Sequence, residues 1–412
     1  MPVQAPAALD AASIEHISQG EPNWLGELRA DWWRRVEADP WPTGAEEEWR
    51  RTSLDNLPRD GGLLLDAPLA TYDLDPQLAA RGVVFSDLGS AVREHGDLVK
   101  SHLARYDTLP AQMPFWGRSL AAWTGGIFLY VPKGVAIDGP LTARTVLPSG
   151  AYTYLPHTLI VLEEDASATL LEEVSSPDGH AIWFGGTADV QVGYGAKLRY
   201  ANLQRLGDEA WRIGAQRVEV GQDADVTTLN AEIGSAISKV GMDVRMTGKG
   251  GTSRLLGLLA AGGAQSIDFN SCQDLIGSHT TSDLLYLSAL YDASHASFYG
   301  VTRVRPEAKQ TSSYQECRNL LLSPKAGAEP IPVLEIETND ILRCGHGATA
   351  GAIDPVQRFY AQSRGMSADA AERMIVRGFF ERVVAQFDSE PIKARVLESL
   401  AARIGTTEEA AA

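Results

Sequence analysis

The segment ILRCGHGATAG places Cys344 and His346 two residues apart. In an extended strand that spacing turns both side chains to one face. A thiolate and an imidazole side by side are good ligands for iron, zinc or copper, and two donors from one strand leave coordination positions for ligands from elsewhere. The pair also has a plain structural use, with Cys344 as a small core residue and His346 as a hydrogen-bonded histidine. Cys317 lies in SSYQECRNLLLS beside Glu316 and Arg318, and a neighbouring guanidinium favours the reactive thiolate. Cys272 and His279, seven residues apart in SCQDLIGSHTTSD, have no defined ligand spacing. Taken as isolated features, these last thiols read as structural.

Other chemistries are disfavoured by what their motifs require. GKGGTS from Gly248 resembles a phosphate-binding loop, but Asp243 and Gly250 stand where that loop needs Gly and Ser or Thr. Nucleotide hydrolysis therefore belongs to another chain, and no nucleophile elbow, H-E-x-x-H or dinucleotide fingerprint is evident. No catalytic turnover by this chain is expected. Glu163, Glu164, Glu172 and Glu173 are the candidate carboxylates for a rival reading, a solenoid lyase or glycosidase; their plainer reading is a solvated face. A net charge of -17 over 412 residues repels a phosphate backbone and argues against nucleic-acid binding. Three cysteines, an odd number, suit reduced thiols better than a disulfide framework. The first residues, MPVQAPAALDAASIEH, have neither a basic nor an apolar signal region, and no apolar run is long enough to span a bilayer. A cytoplasmic protein is expected.

Three regions must position these groups. Residues 1–110 read as helical, with Trp24, Leu28, Trp32 and Val36 recurring every fourth residue before a break at Asp39 to Pro42. Five of the nine tryptophans fall in the first 49 residues, which points to packing onto the main body more than to a partner surface. Residues 111–350 change character, with β-branched runs separated by Gly, Asp and Ala. Ala166, Ala196, Ala224 and Gly251 mark turns that recur at a near-constant interval, as in a solenoid of stacked β coils. Such coils share one core and need capping at their ends, a role open to the flanking helices. Residues 351–412 turn helical again. Asp354 is a candidate N-cap with Pro355 following, Gly365 a stop, and Ser367 the cap of a longer helix. The expected stripe there is Ala371, Met374, Ile375, Gly378, Phe379, Val383 and Phe387, and Pro391 opens a last helix with Val396, Leu400 and Ile404. Adjacent Phe379 and Phe380 either pad the solenoid end or dock into a partner's groove.

The stretch RNLLLSPKAGAEPIPVLEIETNDILRCGHGATAG followed by DPVQRFYAQSRGM resembles the C-terminal signature of the SufB and SufD family. HTTSDLLYLSALYDASHASFYG and EEEWRRTSL are similar to further family segments. The C-x-H-G-A-T pattern is closer to SufD-type chains, whereas SufB-type chains carry His-Glu where this chain has His346-Gly347. Cys317 sits where SufB-type chains carry a functional cysteine, which keeps open a SufB-like primary scaffold or a self-pairing paralogue. The resemblance implies a right-handed parallel β-helix flanked by helical regions, and a subunit of an iron-sulfur cluster assembly complex with SufB and the ATPase SufC. It implies that Cys344 and His346, with Cys317, take part in transient cluster binding at the SufB interface. It further implies that Phe359, Tyr360, Arg364, Phe379 and Phe380 receive the ATPase. A homodimer of the isolated chain and a bound flavin stay open.

Overall fold

A computed structural model describes residues 9–37, 41–59, 61–65, 72, 74–103 and 115–406. The expected boundary at 110/111 and part of the break at Asp39 to Pro42 lie outside the described residues. The helices before the solenoid are α1 (Ala11–Ile17), α2 (Asn23–Glu37), α3 (Pro76–Ala80), α4 (Leu88–Glu94), α5 (Gly96–Leu103) and α6 (Trp116–Ala122). One sheet contains β1 (Val84–Asp87), β2 (Ile127–Val131), β5 (His157–Leu162), β8 (Thr187–Val192), β10 (Trp211–Val220), β12 (Ile237–Met246), β14 (Ser266–Leu275), β16 (His295–Val304) and β18 (Gly327–Ile336). The short β4 (Tyr152–Tyr154) and β7 (Ile182–Phe184) join its side. The other sheet holds β3 (Ala136–Val146), β6 (Ser167–Ser175), β9 (Lys197–Arg205), β11 (Asp225–Glu232), β13 (Thr252–Ala261), β15 (Thr281–Leu290), β17 (Thr311–Leu321) and β19 (Ile341–Ala352). After α7 (Pro355–Ser363) come α8 (Ala368–Val384) and α9 (Glu390–Thr406).

From β8 onward successive strands alternate between the two sheets and pair in parallel with the strand two places on; in the earlier turns the short β4 and β7 intervene and β2, β3, β5 and β6 pair in parallel three places on, while β1 runs antiparallel to β2, giving a parallel β-solenoid of about 8 turns. The turn residues recognised in the sequence form one corner of it. Ala166, Ala196 and Ala224 are almost fully buried, and their carbonyls accept from the N–H of Lys197, Asp225 and Thr252 in the next turn. The residue before each takes a left-handed conformation: Asp165, Gly195, Asp223 and Gly250 have φ of 55°, 64°, 55° and 74°. Gly and Asp tolerate that region, so the corner repeats with the sequence. GKGGTS is one of these corners, and His279 (φ 60°) occupies another.

Inside, alternate residues of each strand meet. On β17, Thr311, Ser313, Gln315, Cys317 and Asn319 are buried while Ser312, Tyr314, Glu316 and Arg318 face outward, the period-two pattern of a strand with one covered face. The core includes Leu170, Val190, Leu198, Val218, Phe269 and Tyr286.

The flanking helices cover faces of the sheets. Trp32 and Val36 of α2 pack with Trp116 and Trp183, while Trp24 and Leu28 are only partly covered. The EEEWRRTSL segment lies on the first sheet: Trp49 is buried, Lys239 Nζ sits 5.0 Å from its ring, and Thr52 Oγ1 donates to Asp268 at 2.7 Å. At the other end Asp354 and Ser367 accept from the N–H of Val356 and Ala370 as N-caps, and Gly365 (φ 92°) follows α7. The stripe of α8 is rotated from the expected one. Val376 and Phe380 are buried with Ala371, Val383 and Phe387, whereas Met374 is 48% exposed. The helix is apolar on more than one side, and contact with Leu203, Leu229, Leu256 and Leu258 of the second sheet selects the face. Val396 and Leu400 of α9 join that cluster; the Ile404 side chain lies outside the described residues. Thus α8 and α9 lie along a flank of the solenoid, against β13 and β15, and do not pad its end.

Candidate metal-ligand site

Each inner row of residues is covered by the next turn, except the last. On β19 the register pairs Cys344 with Ser313, His346 with Gln315 and Ala348 with Cys317, so Cys344 and His346 continue the inward row. Ser313, Gln315 and Cys317 beneath them are buried, whereas Cys344 is half-buried and His346 exposed. No described strand follows β19 in its sheet or β18 in the other. Both edges therefore carry unpaired backbone N–H and C=O groups. Pro330 and Pro332 in β18 have no N–H, and the ladder tolerates them because only one side of that strand is paired.

The thiol and imidazole thus project together from the open rim of the stack. Burial against the core raises the pKa of Cys344, so its thiolate needs a metal or cationic partner to form at neutral pH. Among the described residues no group of three or more His, Cys, Asp or Glu side chains is arranged to hold a metal ion. The outward side of the same strand is built differently. Tyr314 of β17 lies against Gly345 and Gly347: a Cβ on Gly345 would meet the Tyr314 ring at 3.5 Å, and one on Gly347 would meet its hydroxyl at 2.9 Å. The Arg343 guanidinium covers that ring at 4.2 Å.

Cys317 is elsewhere. It lies one turn inside, 4% exposed, with Asn319 Nδ2 donating to its Sγ at 3.6 Å and to the Thr349 carbonyl at 3.0 Å. Burial pushes its pKa up to about 12. The expected thiolate-promoting role of Arg318 fails, because Arg318 faces outward and pairs with Glu316. Cys272 faces the opposite way from the interior row on β14, and burial likewise raises it to about 12; it does not join His279 at the corner.

The partner residues divide. Phe359 and Tyr360 of α7 are 71% and 60% exposed, with Arg364 Nη2 donating to the Tyr360 hydroxyl at 3.2 Å. Phe380, fully buried under α8, offers no surface, which corrects its expected docking role; Phe379 is partly covered. Adjacent phenylalanines point to different sides of a helix, and contact with the second sheet selects Phe380 for burial. Val356 on α7 is exposed as well, and a cavity of about 610 Å³ lined by Leu321, Pro324, Ile353, Pro355 and Phe359 opens beside this helix; Ile336 and Leu342 are exposed at the other end of the last turn.

The four candidate carboxylates do not form a shared groove. Glu164 pairs with Lys133 on the surface at 2.6 Å. Glu172 points inward and accepts from Tyr200 Oη at 2.5 Å and Thr158 Oγ1 at 3.1 Å. Glu173 is fully buried on the outer face, bound by Arg395 of α9, Arg144 and Arg205. A solvated face is therefore wrong for Glu172 and Glu173, since adjacent strand residues point to opposite sides of the sheet.

No described helix is long and apolar enough to cross a membrane. The family model "SUF system FeS cluster assembly, SufBD core domain" matches residues 146–379, more than half of the chain. The iron-sulfur cluster assembly protein SufD of Bacillus subtilis (strain 168) is 28% identical over 346 residues, covering 82% of this chain and 78% of the relative. SufB of the same organism is 27% identical over 327 residues, covering 79% and 70%, and a SufBD family protein of Staphylococcus epidermidis is 26% identical over 327 residues, covering 79% and 70%. With the parallel solenoid these matches settle the relationship: the chain belongs to the SufB/SufD family of iron-sulfur cluster assembly proteins.

Proposed function

We propose that this chain is the SufD-type scaffold subunit of a SUF assembly complex, pairing through its last turn with a SufB-type paralogue and receiving the ATPase SufC on its terminal helices. The observation that carries this reading is the unfinished turn. Cys344 and His346 lie in the inward row of a strand over which no further described turn lies, where a partner strand would add both backbone pairing and the missing ligands. The nascent iron-sulfur cluster is cargo held between two proteins, with a thiolate and an imidazole nitrogen supplied from this side. A SufC-type partner would use the exposed Phe359 and Tyr360 of α7, which follows β19 after only a short connection. The scaffold itself performs no turnover, and the proposed compartment is the cytoplasm.

The sealed, high-pKa Cys317 favours the SufD-type role over a primary SufB-like scaffold, which would need that thiolate accessible. The test uses His346→Ala and Cys344→Ala in the co-expressed complex. Both variants are expected to assemble normally and to lose cluster formation, His346→Ala more completely. Cells fully complemented by both would overturn the reading, and so would anaerobic reconstitution that depends on Cys317 but not on Cys344 or His346.

A further inference from the structure

The last strand is poorly equipped to stay extended by itself. It is an edge strand with a neighbour on one side only, and glycines stand at 345, 347 and 351. Glycine weakens a strand through chain entropy and the lack of a side chain to pack. The two glycines flanking His346 are the ones against which Tyr314 lies, with the Arg343 guanidinium on the ring.

We propose that Tyr314 is a positioning residue for the Cys344–His346 pair: its ring covers the outer side of Gly345 and Gly347 and holds β19 extended, so that thiol and imidazole leave the same face together. An aromatic side chain laid across a glycine of the neighbouring strand replaces the packing that the glycine lacks. The same geometry fits the alternation Cys-Gly-His-Gly and gives a steric reason for glycine at 347. Inward positions carry the donors, and outward positions are the ones the Tyr314 side chain covers, in ordinary contact with where a Cβ of Gly345 would stand and closer than that at Gly347. At Gly347 a Cβ would stand 2.9 Å from the hydroxyl, so an added methyl must displace the ring. Tyr314 belongs to the outward row, opposite the donors, and acts only through the strand between them.

The inference rests on the proposed ligand role of Cys344 and His346, but its test does not. Hydrogen exchange of the full chain, read peptide by peptide, is compared for wild type, Tyr314→Ala, Tyr314→Phe, Gly347→Ala and the double variant Tyr314→Phe with Gly347→Ala. Tyr314→Ala is expected to speed exchange in β19 by roughly fivefold, the scale of one cross-strand aromatic pair, with β15 unchanged. Alkylation of the half-buried Cys344 should speed up in parallel. Tyr314→Phe, which keeps the ring, should stay near wild type. Gly347→Ala should loosen β19, and removing the hydroxyl in the double variant should restore it. Unchanged exchange in Tyr314→Ala overturns the inference, as does uniform loosening of the whole solenoid or a Gly347→Ala defect that Tyr314→Phe fails to relieve. If β19 behaves as expected while His346→Ala still assembles clusters, the ligand reading fails and the positioning of the strand stands.

Discussion

Phe380→Ala removes a fully buried ring from the contact between α8 and the second sheet, where it packs with Val376, Val383, Phe387 and the leucines of β9, β11 and β13. The chain lost there is a phenyl group enclosed on all sides, for which truncation costs about 3–5 kcal/mol through lost burial and the cavity left behind. Docking of α8 and α9 should therefore weaken by about a hundred- to a few-thousand-fold. Native-state hydrogen exchange is the suitable assay, because it reads opening of the helical flank separately from global unfolding. Protection in α8 and α9 should fall by that factor while β11 and β13 stay protected. The contrasting variant is Phe359→Ala on α7, 71% exposed, which should change stability by less than about 0.5 kcal/mol and weaken binding of the ATPase partner. If Phe380→Ala leaves α8 protection intact and abolishes partner binding, the burial argument is wrong and the ring is presented outward.

Two further outcomes follow from buried charges. Burial alone would raise the pKa of Glu173, but hydrogen bonds from Arg395 and Arg205 hold it below its ordinary value of 4.5; a carboxylate lowered in the folded state stabilises above the unfolded pKa, and that contribution disappears as pH falls through the folded one. Glu173→Gln should thus loosen α9 at neutral pH, with the gap to wild type closing below about pH 4; a gap that is constant from pH 7 to pH 3 in denaturation midpoints would contradict the clasp. Asp268→Ala leaves the buried Lys239 ammonium, now 2.6 Å from Asp268, without its counter-charge, with the Glu48 carbonyl and the Trp49 ring beside it, and should cost about 3–5 kcal/mol, whereas pairing it with Lys239→Met should recover most of the loss; simple additivity in urea denaturation would show that the two charges do not depend on each other.

Much of the fold was legible because its signals are local. The corner turns repeat in the sequence because each needs a residue that accepts positive φ, and the caps at Asp354 and Ser367 need only their own next residues. The same holds for the donor pair: two-residue spacing in a strand fixes that Cys344 and His346 share a face. It could not fix which face, and here register decided. Pairing of Cys344 with Ser313 places the donors in the inner row of the last turn, over which no described strand lies, whereas a shift of a single residue would have turned them outward.

The sequence by itself determined the period, the turn chemistry, the helix starts and the chemical character of the donors, since each depends on residues within a few positions of one another. Only the tertiary structure decided that Cys317 is sealed while Cys344 is at the rim, that Phe380 is core and Phe359 surface, and that Glu172 and Glu173 serve opposite sides of one strand. Those outcomes depend on what lies one turn above or on a helix some two hundred residues away, as for Arg395 on Glu173, and burial of this kind is a property of neighbours in space that no local pattern encodes.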